Sequence, residues 1–390
     1  MPSPASRDAN WVDGLRGIAA FTVVTGHLCT AFIPFIHAPA LGENEASHIL
    51  QLPFFRLLVS ERAAVALFFL ITGYVNAVGP LAKAKAGNTA TAFNGIARSA
   101  LARSGRLMLP TIIATTLSWF FAQVGLYNMG RHIDATWIRQ GWHDREPTLV
   151  GAVQKLMHAN VLTWTVGWDE YDAVKSMNIF WGIFIAELQT SYGSSATSLV
   201  PKPFALITIL LGLFFSGFPQ DAPNWAPWSR HMDTFMLNFI PADTDVRRYW
   251  DSLGASVFLT GLFFSGPARR FLSLPLFNFM GRVSFPVYLI HNLLMKTVLV
   301  WMIYLPSYLN PKFNEDGSQK DLERGGLLQF AVCIPAFYLL VYRLADLWTK
   351  WVDPLCAAFT DWMVRWATGE HPVALAGMPI MKEKDGKLLG

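Results

Sequence analysis

Six stretches of this chain, at about 12–36, 63–79, 107–127, 201–218, 283–305 and 326–343, are apolar over close to the ~20 residues a helix needs to cross a bilayer. A backbone in lipid must satisfy its own hydrogen bonds, so runs of this length fold as helices. Two shorter runs, 178–190 and 252–266, are spans only if neighbouring helices cover them. The stretch 150–166 is weakly apolar and fits an interfacial, re-entrant or spanning helix. The chain has 390 residues, 53% hydrophobic and 15% charged. A soluble domain carries about 25% charged residues, so the class is an all-α, polytopic transmembrane helical bundle of about 8–10 spans.

Charge placement orients it. Between Pro80 and Pro110 lie Lys83, Lys85, Arg98, Arg103 and Arg106 with no acid, and Arg269, Arg270 and Arg282 mark a second basic stretch. Both read as cytoplasmic loops under the positive-inside rule. The segments 37–62, 128–150, 219–251 and 306–325 are neutral or slightly acidic and fit the other side. Eight passes, omitting 150–166, satisfy all of these and put both termini in the cytoplasm. Residues 344–366 set Trp348, Trp351, Trp362 and Trp366 among charges, the pattern of an amphipathic helix at the interface, interrupted at Pro354. One membrane domain over 1–366 and a polar tail over 367–390 account for the chain. The first ten residues are polar and no cleavage pattern follows them, so no signal peptide is expected. Cys29, Cys333 and Cys356 read as buried thiols, and no metal cluster or nucleotide fingerprint is present. A net charge of +4 makes no nucleic-acid footprint.

Chemistry is expected where ionisable groups enter lipid. Arg16 and His27 share one helix face, eleven residues and about 16 Å apart. An imidazole titrates near neutrality and suits a general base; the competing reading is a packing histidine. Arg16 could bind an anion, snorkel, or pair with Asp13 one turn away. Arg103 and Arg106, three residues apart with Arg98 before them, could hold phosphate in forked pairs or simply flank a span. Thr72, Gly73 and Tyr74 close the small-residue run 62–74, read first as helix packing. Ser284, Tyr288 and His291 fall at i, i+4 and i+7 on one face, read as a polar stripe more than as catalysis.

Four segments together resemble the acyltransferase 3 family of integral membrane acyltransferases, closest to its fungal members. They are DGLRGIAAFTVVTGH (13–27), AAVALFFLITGY (63–74), RSGRLMLP (103–110) and GRVSFPVYLIH (281–291). The resemblance implies acyl transfer from a cytoplasmic acyl-CoA co-substrate, with no tightly bound cofactor, to a hydroxyl or amine of a small molecule, sugar or lipid. It implies that His27 is the catalytic histidine, assisted by Arg16, and that Arg103 and Arg106 hold the donor's phosphates. Arg98, Tyr74, Ser284 and Tyr288 join them as expected substrate-binding residues. A fungal-type member is expected in the endoplasmic reticulum membrane. The family's central Trp-Thr-x-Pro-x-Glu segment is only echoed here, by Trp164-Thr165 and Asp169-Glu170, which implies a member shortened at its centre. A transporter or flippase, or an inactive relative, are the competing readings.

Overall fold

The computed structural model describes residues 4–140, 145–165, 172–240, 244–317 and 319–367, and its described side chains exclude 4–10, 90, 94, 162–165 and 172–173. Asp169, Glu170 and the tail beyond 367 lie outside the described residues, as do the side chains of Trp164 and Thr165.

The described residues form helices joined by turns and loops. In order come α1 (Pro4–Phe32), α2 (Glu61–Lys85), α3 (Thr89–Gln123), α4 (Leu149–Thr165), α5 (Asp172–Tyr192), α6 (Lys202–Ser216), α7 (Pro227–Leu237), α8 (Val246–Phe264), α9 (Gly266–Leu272), α10 (Pro275–Arg282), α11 (Ser284–Leu294), α12 (Val300–Leu309) and α13 (Leu327–Ala367). A single π turn, Met295–Leu299, joins α11 to α12 into one rod. The only extended pairing among the described residues is two isolated bridges, one of which ties Ile133 to Leu322.

Among the described residues, four helices are long and apolar enough to cross a membrane: Trp11–Phe32, Glu61–Lys85, Ser284–Leu309 and Leu327–Ala367. A fifth is added if Val174–Ser198 and Lys202–Ser216, bent by 119°, form one broken span. Beyond those four, the eight-pass expectation uses α3, α5, α6 and α8, helices that the structure forms but that are individually shorter or more charged. Helix α6 has only 15 residues, α8 carries Arg247, Arg248 and Asp251 in its first turns, and the first half of α3 carries Arg98, Arg103 and Arg106.

Two expectations are corrected. The basic stretch between Pro80 and Pro110 is not a loop: α2 runs on to Lys85 and α3 begins at Thr89, with Gly87 (φ +82) making the turn between them. Nor is 344–366 a separate interfacial helix broken at Pro354, since α13 runs unbroken through Pro335 and Pro354. Its 41 residues span about 61 Å, twice the hydrocarbon depth of a bilayer. The distal half of α13 pairs with the basic half of α3, where Thr360 lies against Gly105 and Arg106 meets Asp361 at 3.3 Å.

Helices α1, α11 and α12 with α13 enclose one core of Val24, Leu28, Val287, Ile290, Phe337 and Val341. Helices α1, α2, α5 and α8 enclose a second, built on Trp11, Leu70, Ile185 and Leu259. A close seam joins α2 to α5. At Gly182 a β-carbon would fall 2.0 Å from the carbonyl oxygen of Leu70, so only glycine lets these backbones meet.

A polar cap covers the bundle end that holds the C-terminus of α1. Arg56, 2% exposed, donates to the carbonyls of Gln51 and His37, and His37 is bonded to Thr30 at 2.9 Å. Burial holds the His37 imidazole below its usual value of 6.5. Asp221 opposes that shift, while Arg56 and Arg62 add to it. The folded state therefore prefers His37 neutral. The sign follows directly: stability is full above about pH 6.5 and declines as pH falls, because the unfolded chain binds that proton more readily. Thermal midpoints measured from pH 8 to pH 5 should show this decline, and His37→Gln should flatten it. An equal slope in both proteins would remove His37 as its source.

Candidate active site

Helices α1 and α11 run side by side in the same direction, with contacts at two levels. Arg16 donates to Ser284 Oγ at 3.2 Å, and three turns on His27 Nδ1 lies 2.9 Å from His291 Nε2. The second contact fixes the tautomers of both rings. A carbonyl oxygen can only accept, and the Val287 carbonyl lies 3.0 Å from His291 Nδ1. That nitrogen therefore carries the hydrogen, and in a neutral ring Nε2 keeps its lone pair. His291 Nε2 must then accept from His27 Nδ1–H. What is left at the end of the chain is the lone pair of His27 Nε2, which is the state a general base needs.

The rings are also held in place. His27 stacks on His291 with centroids 5.1 Å apart and tilts against Trp137 at 5.2 Å. Trp137 in turn lies under the Lys296 ammonium, 5.2 Å from the ring centre, and Lys296 donates to the Gln140 carbonyl. The π turn presents Lys296 here, one helical turn beyond His291. The segment bearing Trp137 is anchored from outside. Asp134 accepts from Tyr304 and faces Arg324 at 3.4 Å, and its backbone N–H reaches the Leu322 carbonyl at 3.1 Å.

His27 lines a cavity of about 240 Å³ among α1, α2, α5 and α8. Its apolar lining includes Val23, Val65, Phe69 and Val174, and its polar lining includes Glu61, Arg62, Lys175 and Asn178. Arg248, Asp251 and Ser252 from the start of α8 complete it, together with Tyr288 from α11. Asp245, just before α8, bonds Arg62 at 3.3 Å and Arg247 at 2.7 Å and tethers the cavity's charged rim.

Of the residues expected from sequence, the structure thus brings His27 and Tyr288 into one cavity. Arg16 and Ser284 meet about 16 Å away along α1, at the level where Arg282 faces Asp346 at 4.0 Å. Tyr74 is buried against Trp11, with ring centroids 6.0 Å apart, and packs rather than lining the cavity. Arg98, Arg103 and Arg106 are not brought to His27. Arg98 lines a separate recess with Ala102, Asp361 and Arg365, while Arg103 and Arg106 are exposed nearby on α3. Asp361 is fifteen residues past Asp346 on α13, so these arginines stand roughly 40 Å from His27 along the helix axes. His291, expected only as part of a stripe, is the nearest polar neighbour of His27. Trp137, Lys296, Asn178 and Asp251 carried no signal in the sequence beyond their residue types. Among the described residues no group of three or more His, Cys, Asp or Glu could hold a metal ion.

Comparison with known proteins reaches the amino-terminal part of the chain. Residues 9–168 match the Acyltransferase domain family. An O-acetyltransferase of Phomopsis amygdali, PaAT-1, is 36% identical over 126 residues, 32% of this chain and 24% of that protein. Acyltransferase R4 of a Phoma species is 34% identical over 92 residues, 23% of this chain and 19% of the relative. The matched stretches thus span a quarter or less of either relative's length. No solved structure matches significantly. The resemblance drawn from 13–27, 63–74 and 103–110 holds over the matched stretch, while 281–291 lies beyond it.

Proposed function

We propose that this integral membrane chain, of acyltransferase 3 type over residues 9–168, moves an acyl group onto a hydroxyl or amine held in the His27 cavity. One observation carries the reading: the one-way hydrogen-bond chain from the Val287 carbonyl through His291 to His27, which leaves a single lone pair at the cavity wall. His27 Nε2 takes the proton as the acceptor oxygen or nitrogen attacks the donor carbonyl. The tetrahedral intermediate then collapses, the bond to the leaving thiolate breaks, and the imidazolium returns the proton to sulfur. The two histidines share the charge that appears on His27 through their 2.9 Å bond.

The donor in this reading is acyl-CoA, entering from the arginine-rich end. That end is cytoplasmic by its charge, in the endoplasmic reticulum membrane, with both termini on the same side. A donor whose carbonyl reaches His27 lies alongside Arg16, whereas Arg98, Arg103 and Arg106 sit too far out to hold that same molecule. They act instead as long-range capture charges, screened beyond about 10 Å at 0.1 M salt. The test uses purified full-length protein in nanodiscs with radiolabelled acetyl-CoA and a panel of alcohols and amines. Labelled ester or amide should form, and none from any partner would overturn the reading. Arg16→Ala should raise the KM for acetyl-CoA about tenfold at any salt. Arg103→Ala and Arg106→Ala should weaken donor capture only at low salt. An unchanged KM in Arg16→Ala would move the donor path elsewhere.

A further inference from the structure

Two residues that line the cavity at His27 carry oxygens without a hydrogen-bond partner among the described residues. Asn178, 2% exposed, donates Nδ2 to Ser252 Oγ at 3.0 Å. Its Oδ1 is buried without a hydrogen-bond partner among the described residues, as is Glu61 Oε2. Glu61 sits one residue from His27 along α1, because a β-carbon at Gly26 would fall 2.1 Å from its Oε2. Bare, buried oxygens are costly, and water or a bound donor must meet them. Both atoms are acceptors, so they ask for O–H or N–H groups.

The charges around them do not select an anion. Arg62 and Arg248 are engaged by Asp245 at 3.3 and 3.5 Å, and the carboxyls of Glu61 and Asp251 line the same space as Lys175, so bases and acids balance. The rest of the lining is polar at Lys175, Ser252 and Tyr288 and apolar at Val23, Val65, Ala66, Phe69 and Val174. A cavity of about 240 Å³ is small, so the molecule held here inserts only its reacting portion or is itself small.

We propose that the acyl acceptor is a neutral diol or polyol with an apolar flank. One hydroxyl faces His27 Nε2, and a neighbouring hydroxyl donates to Asn178 Oδ1, with Glu61 Oε2 receiving any further O–H. This rests on acyl transfer at His27 and specifies what is acylated. The neighbouring hydroxyl undergoes no chemistry; it fixes which oxygen attacks. A mono-alcohol fills the apolar part of the cavity but leaves the oxygens to water.

The test compares 1,2-hexanediol with 1-hexanol on the full chain in nanodiscs, by acetyl transfer from acetyl-CoA and by thermal midpoint. The diol should show a kcat/KM at least about tenfold above the mono-alcohol and should raise the midpoint more. Asn178→Leu should bring the diol-to-mono-alcohol ratio toward one, and Asn178→Asp, which keeps an acceptor oxygen, should retain the preference. If Asn178→Leu does not fold, the wild-type comparison decides alone. Equal rates and equal midpoint shifts for the two alcohols, including no shift from either, overturn the inference. A diol-specific shift without any ester formed overturns acyl transfer while leaving the diol site standing.

Discussion

His27→Ala should lower kcat for acyl transfer by roughly 10²–10⁴-fold, the range a positioned general base contributes, with little change in the acceptor KM. The protein should still fold, because His27 is half-buried at a cavity wall and its loss leaves only the far nitrogen of one neighbour unbonded. His291→Phe should cost less, about 10–100-fold. Phenylalanine keeps the stacking but cannot accept from His27 Nδ1–H, so the imidazole is free to present the wrong nitrogen. The double variant should be no slower than His27→Ala alone, since both act through the same lone pair. Single-turnover rates with labelled donor measure all three. Additive losses would mean that His291 acts on the reaction by a separate route.

Half of this relay was legible before the fold was known. An imidazole inside an apolar run is conspicuous by its cost, and the spacing from Arg16 to His27 put both on one face. The second imidazole was visible in the stripe Ser284, Tyr288 and His291, but nothing in one dimension says which helix a stripe will face. Only the parallel packing of α1 on α11 turns two unremarkable histidines into a pair 2.9 Å apart. The cavity's other polar groups come from the first turns of α2, α5 and α8, each legible only as the edge of an apolar run. The arginines of α3 are the reverse case. Their spacing suggested a phosphate fork, yet α13, extended past both of its prolines, gives Arg106 a carboxylate partner far from His27. Proline marked an expected helix end there, and tertiary contact with α3 overrode it.

Gly182→Ala should destabilise the protein by roughly 3 kcal/mol or more, a large effect for one added methyl. That methyl would meet the Leu70 carbonyl oxygen at 2.0 Å, and backbone cannot swing aside as a side chain can. Separation of α2 from α5 is the only relief. It would also open the cavity between Val65 and Val174, so residual activity should fall together with stability. Gly79→Ala is the matched control, because nothing lies within 4 Å of a β-carbon there. Monodisperse yield after detergent extraction and the thermal midpoint report both variants. A Gly182→Ala protein as robust as Gly79→Ala would show that the two helices meet less closely than described.

That seam bears on where the molecule can be divided. The stretch that matches the family stops at residue 168, yet the helix lying closest to α2 starts four residues later, and the ring that orients His27 is more than a hundred residues beyond. A boundary of similarity is therefore not a boundary of folding. An excised amino-terminal piece would carry the most recognisable letters of the chain with Gly73, which faces the Ile179 carbonyl in the whole chain, left bare and a histidine unable to choose its tautomer.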